Sequence, residues 1–214
     1  MKYAAVIFDF DGTLLYTVED LAAAVNFALE KNGFPGHSTG EIQRMIGNGV
    51  AMLVARALPE GFETPGYENI LADFREYYTL HKTDTTRPYP GILQLLGQLK
   101  GDGHRLAVVT NKFQSAAEEL TRRFFPGLID VVIGDAPERE RKPSPDGVRE
   151  ALRRLGADAG SAVYVGDTEV DMQTGINAET DYICVSWGYR TREELASLGA
   201  EKIVSTAQEL YDML

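Results

Sequence analysis

The spacing of apolar residues divides the chain into two kinds of region. From about residue 16 to residue 82, apolar positions recur every three or four residues, as in helices buried on one face, and no segment alternates like a strand. From residue 88 onward, short apolar runs alternate with helical segments, and residues 4–8 form a similar run. The pattern therefore predicts strand and helix alternation interrupted by one purely helical stretch.

Five apolar runs are predicted as buried parallel strands, because they are short, continuous and bounded by turn residues. They are residues 4–8, 106–110, 131–133, 162–165 and 181–186. The connection between the first two is far too long for a single crossover helix. We therefore predict an α/β fold with a parallel sheet, in which residues 1–15 and 83–214 form a core domain and residues 16–82 an inserted helical domain.

Two aspartates directly follow the first predicted strand. Asp9 and Asp11 stand one residue apart, so on an extended chain their side chains would point to opposite faces. Gly12 allows the chain to turn, so that both carboxylates can serve one site at the carboxyl end of the strand. An acidic turn of this kind is, by itself, as readily structural as functional.

Polar residues also stand at the ends of later strands. Thr110 and Asn111 end the second strand, Asp167 follows the fourth, and Lys142 lies between them just before a helix. Because parallel strands share one carboxyl edge, these side chains can converge with Asp9 at a single rim. Each alone is more often structural, Lys142 as a surface cation for example, but their joint occurrence in this order indicates an active site.

The predicted site carries an excess of negative charge. It would bring together four aspartates, which are Asp9, Asp11, Asp167 and Asp171. Lys142 offsets only one of these charges, so we expect a hard, oxygen-liganded cation such as Mg²⁺. A phosphate dianion could then bind against the cation, Lys142, the Thr110 hydroxyl and the amides of the turn.

Composition narrows the choice of partner and compartment. The 214 residues include 21 Lys and Arg against 32 Asp and Glu, for a net charge of −11, which argues against nucleic acid as a partner. Cys184 is the only cysteine, so no intramolecular disulfide is possible and a reducing compartment is favoured. No segment approaches a membrane span or a cleavable leader, and we expect a cytoplasmic protein without a membrane partner.

Four segments, taken in order, resemble the four sequence motifs of the haloacid dehalogenase superfamily of phosphohydrolases. They are Asp9-Phe10-Asp11-Gly12-Thr13-Leu14, Thr110-Asn111, Lys142-Pro143, and Gly166-Asp167 through Asp171. The resemblance covers essentially the whole chain. The inserted helical domain resembles the small helical cap of the phosphoglycolate phosphatase and β-phosphoglucomutase branch.

This resemblance implies a Rossmann-like sheet of strand order 3-2-1-4-5 with an inserted α-helical cap. It implies that Asp9 forms an aspartyl-phosphate, and that Asp11 protonates the leaving oxygen and then activates water. The Asp9 carboxylate, the Asp11 carbonyl and Asp167 would hold Mg²⁺. Asp171 would support them.

The same resemblance assigns the remaining site residues. Thr110 and Lys142 would hold the phosphoryl group, with Asn111 and the turn at Gly12 among the substrate-binding elements. In the cap, Asn48 would contact the part of the substrate beyond the phosphate. Glycines on both sides of Asn48 would let the backbone approach a ligand closely, although the turn could equally be a plain helix break.

Individual residues separate this chain from some relatives. Asp11 is an acid at a position where dehalogenases and phosphonoacetaldehyde hydrolases, which resemble this scaffold, lack one. Gly47-Asn48-Gly49 stands where mutases of the β-phosphoglucomutase type carry a Ser-Arg pair. Tyr16 departs from the Asp found in many relatives at the start of the cap linker. Trp187 lies in a loop that resembles the phosphoglycolate phosphatase loop after strand five, and it is equally well explained as core.

We expect a Mg²⁺-dependent phosphomonoesterase acting on a small phosphorylated metabolite, with 2-phosphoglycolate as the first candidate. Alternatives with the same machinery are a pyrophosphatase, a 5'-nucleotidase, a sugar-phosphate phosphatase and a β-phosphoglucomutase-like enzyme. A catalytically silent ligand-binding module would be expected to have lost one of the core motif residues, and all are present. The expected oligomeric state is a monomer or a homodimer.

Overall fold

A computed structural model describes residues 2–214 of the chain. The chain forms two compact units. The core unit contains the described residues up to Leu15 together with Pro88–Leu214, and the helical unit contains Tyr16–Arg87.

The strands belong to the two chain segments of the core unit and to the residues that join these segments to the helical unit. They are β1 (Ala5–Phe8), β2 (Leu15–Tyr16), β3 (Arg87–Pro88), β4 (Arg105–Phe113), β5 (Val131–Asp135), β6 (Ala162–Gly166), β7 (Asp181–Val185) and β8 (Ile203–Val204). β2 and β3, which connect the two units, pair as a separate two-stranded sheet.

The helices of the helical unit are α1 (Val18–Lys31), α2 (Thr39–Met45), α3 (Val50–Arg56) and α4 (Tyr67–His81), with a 3₁₀ turn at Gly61–Glu63. Those of the core unit are α5 (Ile92–Gly101), α6 (Gln114–Phe124), α7 (Asp146–Leu155), α8 (Glu169–Asn177), α9 (Arg192–Ser197) and α10 (Ala207–Met213), with a 3₁₀ turn at Ala159–Ser161. Within residues 2–214, no helix has both the length and the apolar character needed to cross a membrane.

The central sheet has six strands in the order β5-β4-β1-β6-β7-β8, and its strand pairs are parallel. Phe8 of β1 lies opposite Val108 of β4 on one side and Val165 of β6 on the other. The predicted order 3-2-1-4-5 is confirmed for the five predicted strands. The sequence pattern does not predict β8, because two residues are too few to show a period.

Alternate residues of β1 enter two different hydrophobic clusters, as the pleat of a strand requires. Val6 and Phe8 pack in one cluster with Leu96 of α5. Ile7 packs in the other with Val148 of α7. The sheet is thus covered on both faces, which explains the unbroken apolar runs in the sequence.

The helical unit has its own core, built mainly between its two longest helices. Leu21, Val25 and Leu29 of α1 recur at helical spacing and share a buried cluster with Ile70 and Phe74 of α4. The predicted helical character of this stretch is therefore confirmed, and its apolar residues form a core separate from that of the sheet.

Asp20 is buried in the first turn of α1, a helix that begins at Val18, directly after Thr17. The Thr17 side chain makes no capping hydrogen bond. Asp20 instead accepts hydrogen bonds from the backbone N–H of Thr85 at 2.9 Å and of Thr86 at 3.0 Å. These contacts hold residues 85–86 in the helical unit, and the core unit resumes at Pro88 where the sequence suggested residue 83.

Candidate active site

The carboxyl ends of three neighbouring strands position the candidate site. Asp9 directly follows β1, and its N–H donates to Val165 O of β6 at 2.8 Å. Asp167 directly follows β6. Thr110 is buried in β4, which continues to Phe113 with a shift in register after Val109. The predicted convergence of strand ends is therefore present, although β4 extends beyond its predicted end.

Three aspartates bring their carboxylates together at this rim. Asp9, Asp167 and Asp171 each offer an oxygen, and these atoms lie within 4.8 Å of one another. All three residues are buried, with Asp167 fully inaccessible to solvent. This is a set of hard oxygen ligands of the kind that Mg²⁺ prefers.

Lys142 links two of these carboxylates. Its Nζ atom lies 2.7 Å from Asp9 Oδ1 and 2.7 Å from Asp171 Oδ1. It also donates to the Tyr164 hydroxyl at 3.0 Å, and that hydroxyl donates to Val109 O at 2.7 Å. Burial alone would lower the pKa of Lys142, but the charges of Asp171 and Asp9 outweigh it and raise that pKa well above its usual value. The paired carboxylates therefore favour the protonated form of this buried lysine.

Hydrogen bonds fix the orientation of the Asp167 and Asp171 carboxylates. Asp167 accepts from the Thr13 hydroxyl at 2.9 Å and from the Tyr189 N–H at 2.8 Å, one on each oxygen. Asp171 Oδ2 accepts from the Thr168 N–H at 3.0 Å and from its hydroxyl at 2.6 Å. Asp171 thereby caps the start of α8, and its other oxygen faces Lys142.

The cluster remains short of positive charge. Burial raises the pKa of Asp9 to about 7, with Asp171 adding to the shift and Lys142 opposing it. The pKa of Asp167 is also raised well above its usual value. Burial is the largest cause, and the negative charges of Asp171 and Asp9 add to it. Among the described residues, Asp9 Oδ1 has no well-aligned hydrogen-bond donor despite its close ion pair with Lys142. An additional cation at these oxygens fits both observations.

Asp11 lies outside this cluster and pairs with Lys112, a residue with no predicted function. Lys112 Nζ donates to the two carboxylate oxygens of Asp11 at 2.9 and 3.0 Å. The prediction that Lys142 is the one lysine facing the four aspartates is wrong, because Lys112 offsets the charge of Asp11. The sequence did contain an indication that Lys112 belongs to the site. Lys112 stands two residues after Thr110 at the same strand end, and residues two apart in a strand point to the same face.

Asn111 and Gly12 support the site at close range. Asn111 accepts from the Lys142 N–H at 2.8 Å and donates to Lys142 O at 3.1 Å, so its amide holds the Lys142 backbone. Gly12 has φ +85°, and a Cβ there would lie 2.3 Å from an Asp167 carboxylate oxygen. Contact of either residue with substrate stays a prediction.

Trp187 and Gly188, in the loop after β7, lie next to the same site. The Trp187 indole N–H donates to Thr13 O at 3.0 Å, and its ring packs against the core cluster. A Cβ at Gly188 would lie 2.4 Å from an Asp167 oxygen. The loop thus shapes the first turn after β1. The two interpretations of Trp187 as core and as a site element are compatible.

Asn48 and Tyr16 belong to the helical unit. Asn48 has φ +61° between two glycines that also have positive φ, and its Oδ1 accepts from Arg56 Nη2 at 3.0 Å. Tyr16 donates to Glu19 Oε1 at 3.0 Å, and the Arg87 guanidinium lies 4.2 Å from its ring centroid. Tyr16 therefore contributes to the linker, and the function of Asn48 stays a prediction.

Comparisons with known proteins find haloacid dehalogenase-like hydrolases and phosphatases. A family model described as haloacid dehalogenase-like hydrolase matches residues 6–185. A phosphoglycolate phosphatase from Rhodospirillum rubrum is 35% identical over 98% of this chain and 90% of its own length. An N-acetylmuramic acid 6-phosphate phosphatase from Pseudomonas aeruginosa is 31% identical over 100% of this chain and 96% of its own length. A crystal structure of a provisionally assigned phosphoglycolate phosphatase from Lactobacillus delbrueckii subsp. bulgaricus superposes with a TM-score of 0.96 at 37% identity, covering 100% of this chain and 98% of that one.

Proposed function

This chain belongs to the haloacid dehalogenase-like hydrolase family and is a phosphatase of a phosphorylated metabolite, and we propose that it hydrolyses 2-phosphoglycolate with Asp9 as the nucleophile. The observation that carries this proposal is the buried cluster of Asp9, Asp167 and Asp171, with Lys142 Nζ 2.7 Å from Asp9 and from Asp171. Burying such a cluster of charged groups costs free energy, so its presence is a strong indication of a catalytic site.

In the first step, an Asp9 carboxylate oxygen attacks phosphorus and the ester P–O bond breaks. The leaving oxygen takes a proton from Asp11, which stands two residues away in the same turn. Lys142, whose Nζ atom lies 2.7 Å from Asp9, and the hydroxyl of Thr110, which belongs to the neighbouring strand β4, stabilise the negative charge on the phosphoryl oxygens. The products are an Asp9 phosphoenzyme and a free alcohol.

In the second step, Asp11 takes a proton from water and the water oxygen forms a bond to phosphorus. The bond from phosphorus to Asp9 breaks, which releases inorganic phosphate and restores the Asp9 carboxylate. Asp11 returns to its protonated state for the next cycle. The same pair of acids therefore serves both steps, with the two protonation states of Asp11 used in turn.

We further propose that the site holds Mg²⁺, on which haloacid dehalogenase phosphatases generally depend. The Asp9 and Asp167 carboxylates with the Asp11 carbonyl would hold it, supported by Asp171, and the buried Asp9 oxygen without an aligned donor fits this assignment. When bound, the ion supplies charge stabilisation for the phosphoryl oxygens. Its charge would also lower the cost of keeping three buried carboxylates ionised.

The choice of 2-phosphoglycolate rests on relatives such as the Rhodospirillum rubrum enzyme. Because a relative of similar identity is named for N-acetylmuramic acid 6-phosphate, the test is a direct comparison of substrates. We would measure kcat/KM with Mg²⁺ for 2-phosphoglycolate, N-acetylmuramic acid 6-phosphate, glucose 6-phosphate, AMP and pyrophosphate. The highest value is expected for 2-phosphoglycolate. A higher value for any other substrate would replace that assignment and leave the phosphatase chemistry in place.

The proposal assigns Asn48 to selectivity, because the turn of Gly47, Asn48 and Gly49 presents a polar side chain on backbone that is open to close approach. Asn48→Ala should lower kcat/KM for 2-phosphoglycolate. The expected loss of transition-state stabilisation is roughly 1–3 kcal/mol, as when a polar partner is left unpaired. Hydrolysis of p-nitrophenyl phosphate should change much less. Equal losses on both substrates would assign Asn48 to the folding of the helical unit.

We expect the protein to act in the cytoplasm as a monomer or homodimer. The residues proposed for the chemistry all belong to the core unit of one chain, so the proposed mechanism needs no residue from a second copy. Sedimentation of the purified protein together with the activity of diluted samples would test this, since activity lost on dilution would indicate an obligate oligomer.

A further inference from the structure

Lys112 makes close contacts that the proposed reaction does not use. Its Nζ atom lies 2.9 Å from Asp11 Oδ1 and 3.0 Å from Asp11 Oδ2, and its side chain is 3% exposed. We propose that Lys112 is a positioning residue for the reaction, which acts by aiming the Asp11 carboxylate. This inference rests on the proposed function of Asp11 as the proton donor and acceptor.

The fold delivers Lys112 to Asp11 across two adjacent strands. β1 and β4 are parallel neighbours, with Phe8 opposite Val108. Asp11 follows Phe8 in the turn after β1, and Lys112 follows Val108 along β4. The Lys112 N–H also donates to the Thr110 hydroxyl at 3.3 Å, which ties the lysine backbone to a proposed phosphoryl contact.

The two lysines of the site contact different acids. Lys142 contacts Asp9 and Asp171, whose carboxylates belong to the buried cluster. Lys112 contacts Asp11, whose side chain is 18% exposed and stands at the edge of that cluster. Lys142 therefore faces the nucleophile and the proposed metal ligands, and Lys112 faces the proposed acid–base group.

Contact with both oxygens restricts the rotation of a carboxylate more than contact with one oxygen does. In the first step the protonated Asp11 would keep one oxygen on Lys112 and present its O–H to the leaving oxygen, and in the second step its carboxylate would present an oxygen to water, so its orientation affects both steps. Without Lys112, the partly exposed carboxylate could turn toward water. Proton transfer would suffer, while binding of the phosphoryl group by Lys142 and Thr110 would be retained.

The test compares two substrates that differ in their need for a proton. The alkoxide of 2-phosphoglycolate must be protonated as it leaves, whereas p-nitrophenolate leaves readily without a proton. The quantity measured is kcat/KM, which reports the steps up to formation of the phosphoenzyme. The variants are Lys112→Met, Asp11→Asn and the double variant, all with Mg²⁺.

Lys112→Met should lower kcat/KM for 2-phosphoglycolate about 10- to 100-fold and for p-nitrophenyl phosphate several-fold at most. Asp11→Asn should show the same selectivity with a larger loss. In the Asp11→Asn background, Lys112→Met should cause no further loss, because the group that it positions is gone.

The matched control is Lys100→Met, which also removes a lysine from a Lys–Asp pair of the core unit. Lys100 Nζ lies 2.6 Å from Asp130 Oδ1, and Asp130 accepts from the Leu106 N–H near the start of β4, at the opposite edge of the sheet. This variant should leave both substrates unaffected. Urea unfolding of each variant separates a change in stability from a change in rate. Lys112→Gln, which removes the charge but keeps an NH₂ donor group, replaces Lys112→Met if the latter does not fold.

Two results would overturn the inference while leaving the proposed function intact. One is an equal loss on both substrates for the Lys112 variant. The other is a full further loss in the Asp11→Asn background, which would show that Lys112 acts without Asp11. If Asp11→Asn itself failed to distinguish the two substrates, the proposed function of Asp11 would fail first.

Discussion

Both carboxylate oxygens of Asp167 have a hydrogen-bond donor within 2.9 Å, and these donors come from Thr13 and Tyr189 in separate loops of the core unit. The turn of Gly47, Asn48 and Gly49 in the helical unit is supported differently. It accepts hydrogen bonds from the exposed side chain of Arg56, at 3.5 Å to Gly47 O and 3.0 Å to Asn48 Oδ1. One region is a buried network of several partners, and the other is a short turn braced by one long side chain.

This difference fits a division between chemistry and selectivity. A buried network holds its groups in one geometry, because each polar group would be costly to leave unpaired. The turn of Gly47, Asn48 and Gly49 has positive φ throughout and two residues without a side chain, so Asn48 is the one side chain of the turn that can select among substrates. We expect substitutions in the first region to abolish turnover. Those in the second should change the preference among substrates.

The largest expected effect is that of Asp9→Asn, which removes the nucleophile from the buried network with almost no change in volume. Turnover of 2-phosphoglycolate and of p-nitrophenyl phosphate should fall together by more than about 10³-fold, against enzyme accelerations of ~10⁶-fold or more. The measurement is kcat with Mg²⁺, with circular dichroism as a check of folding. Retention of more than about a thousandth of the original kcat would contradict the assignment of Asp9.

Lys142→Ala should have the next largest effect. Its removal leaves Asp9 and Asp171 without their shared cation, so kcat/KM for both substrates should fall about 10²- to 10³-fold. Lys142→Arg should restore little, because a planar guanidinium does not reproduce a point charge between two carboxylates. Lys100→Ala, at the exposed pair with Asp130, is the control. Unchanged kcat/KM in Lys142→Ala would make this lysine a structural cation only.

The sequence was sufficient to predict the parallel sheet, the inserted helical region and the convergence of Asp9, Asp167 and Asp171 at the rim, although Asp11, which was predicted with them, lies outside that cluster. It succeeded there because a strand buried on both faces has an unmistakable apolar run, and parallel strands share one carboxyl edge. Asp9 and Asp167 are examples, since each directly follows such a run.

The partners of the site residues could not be predicted in the same way. Lys112 reaches Asp11 only because β4 runs on past a register shift, and an irregularity of that kind has no sequence period. Tyr164 was included in an apolar strand, where its hydroxyl needed a partner that the pattern does not name. Asp20 stands in the first turn of α1, yet it binds the backbone of a segment 65 residues away in the chain, a partner that no local pattern shows.

Ionisation of the buried Asp9 carboxylate should make the free energy of unfolding depend on pH. Burial raises the pKa of Asp9 to about 7 from a usual value of 3.8, so the native state binds a proton that the unfolded chain releases. Stability from this group is therefore present at low pH and is lost as the pH rises toward 7. Between pH 5 and pH 7 in EDTA, the free energy of unfolding should fall by about 2 kcal/mol from this group.

Urea unfolding at both pH values measures this loss, and Asp9→Asn is the matched control because it cannot ionise. The pH dependence should be weaker in that variant, while the pKa of Asp167, which is raised in the same direction, should leave a residual slope. Added Mg²⁺ should reduce the slope in the unmodified protein, since a bound cation favours the ionised carboxylates. An identical slope in Asp9→Asn would show that Asp9 is already ionised in the folded protein at pH 5.

The smallest expected effect is that of Arg56→Ala, which tests the other side of the comparison. Arg56 donates to Met45 O at 2.7 Å as well as to the turn, so its loss should free the end of α2 and the Asn48 side chain together. Because each such hydrogen bond is worth about 1 kcal/mol, kcat/KM for 2-phosphoglycolate should fall roughly three- to tenfold. Hydrolysis of p-nitrophenyl phosphate should stay within about twofold, since the buried network is untouched. Combining Arg56→Ala with Asn48→Ala should add little to the loss from Asn48→Ala alone, because both changes act on one side chain. If the two losses were fully additive, Arg56 would act independently of Asn48.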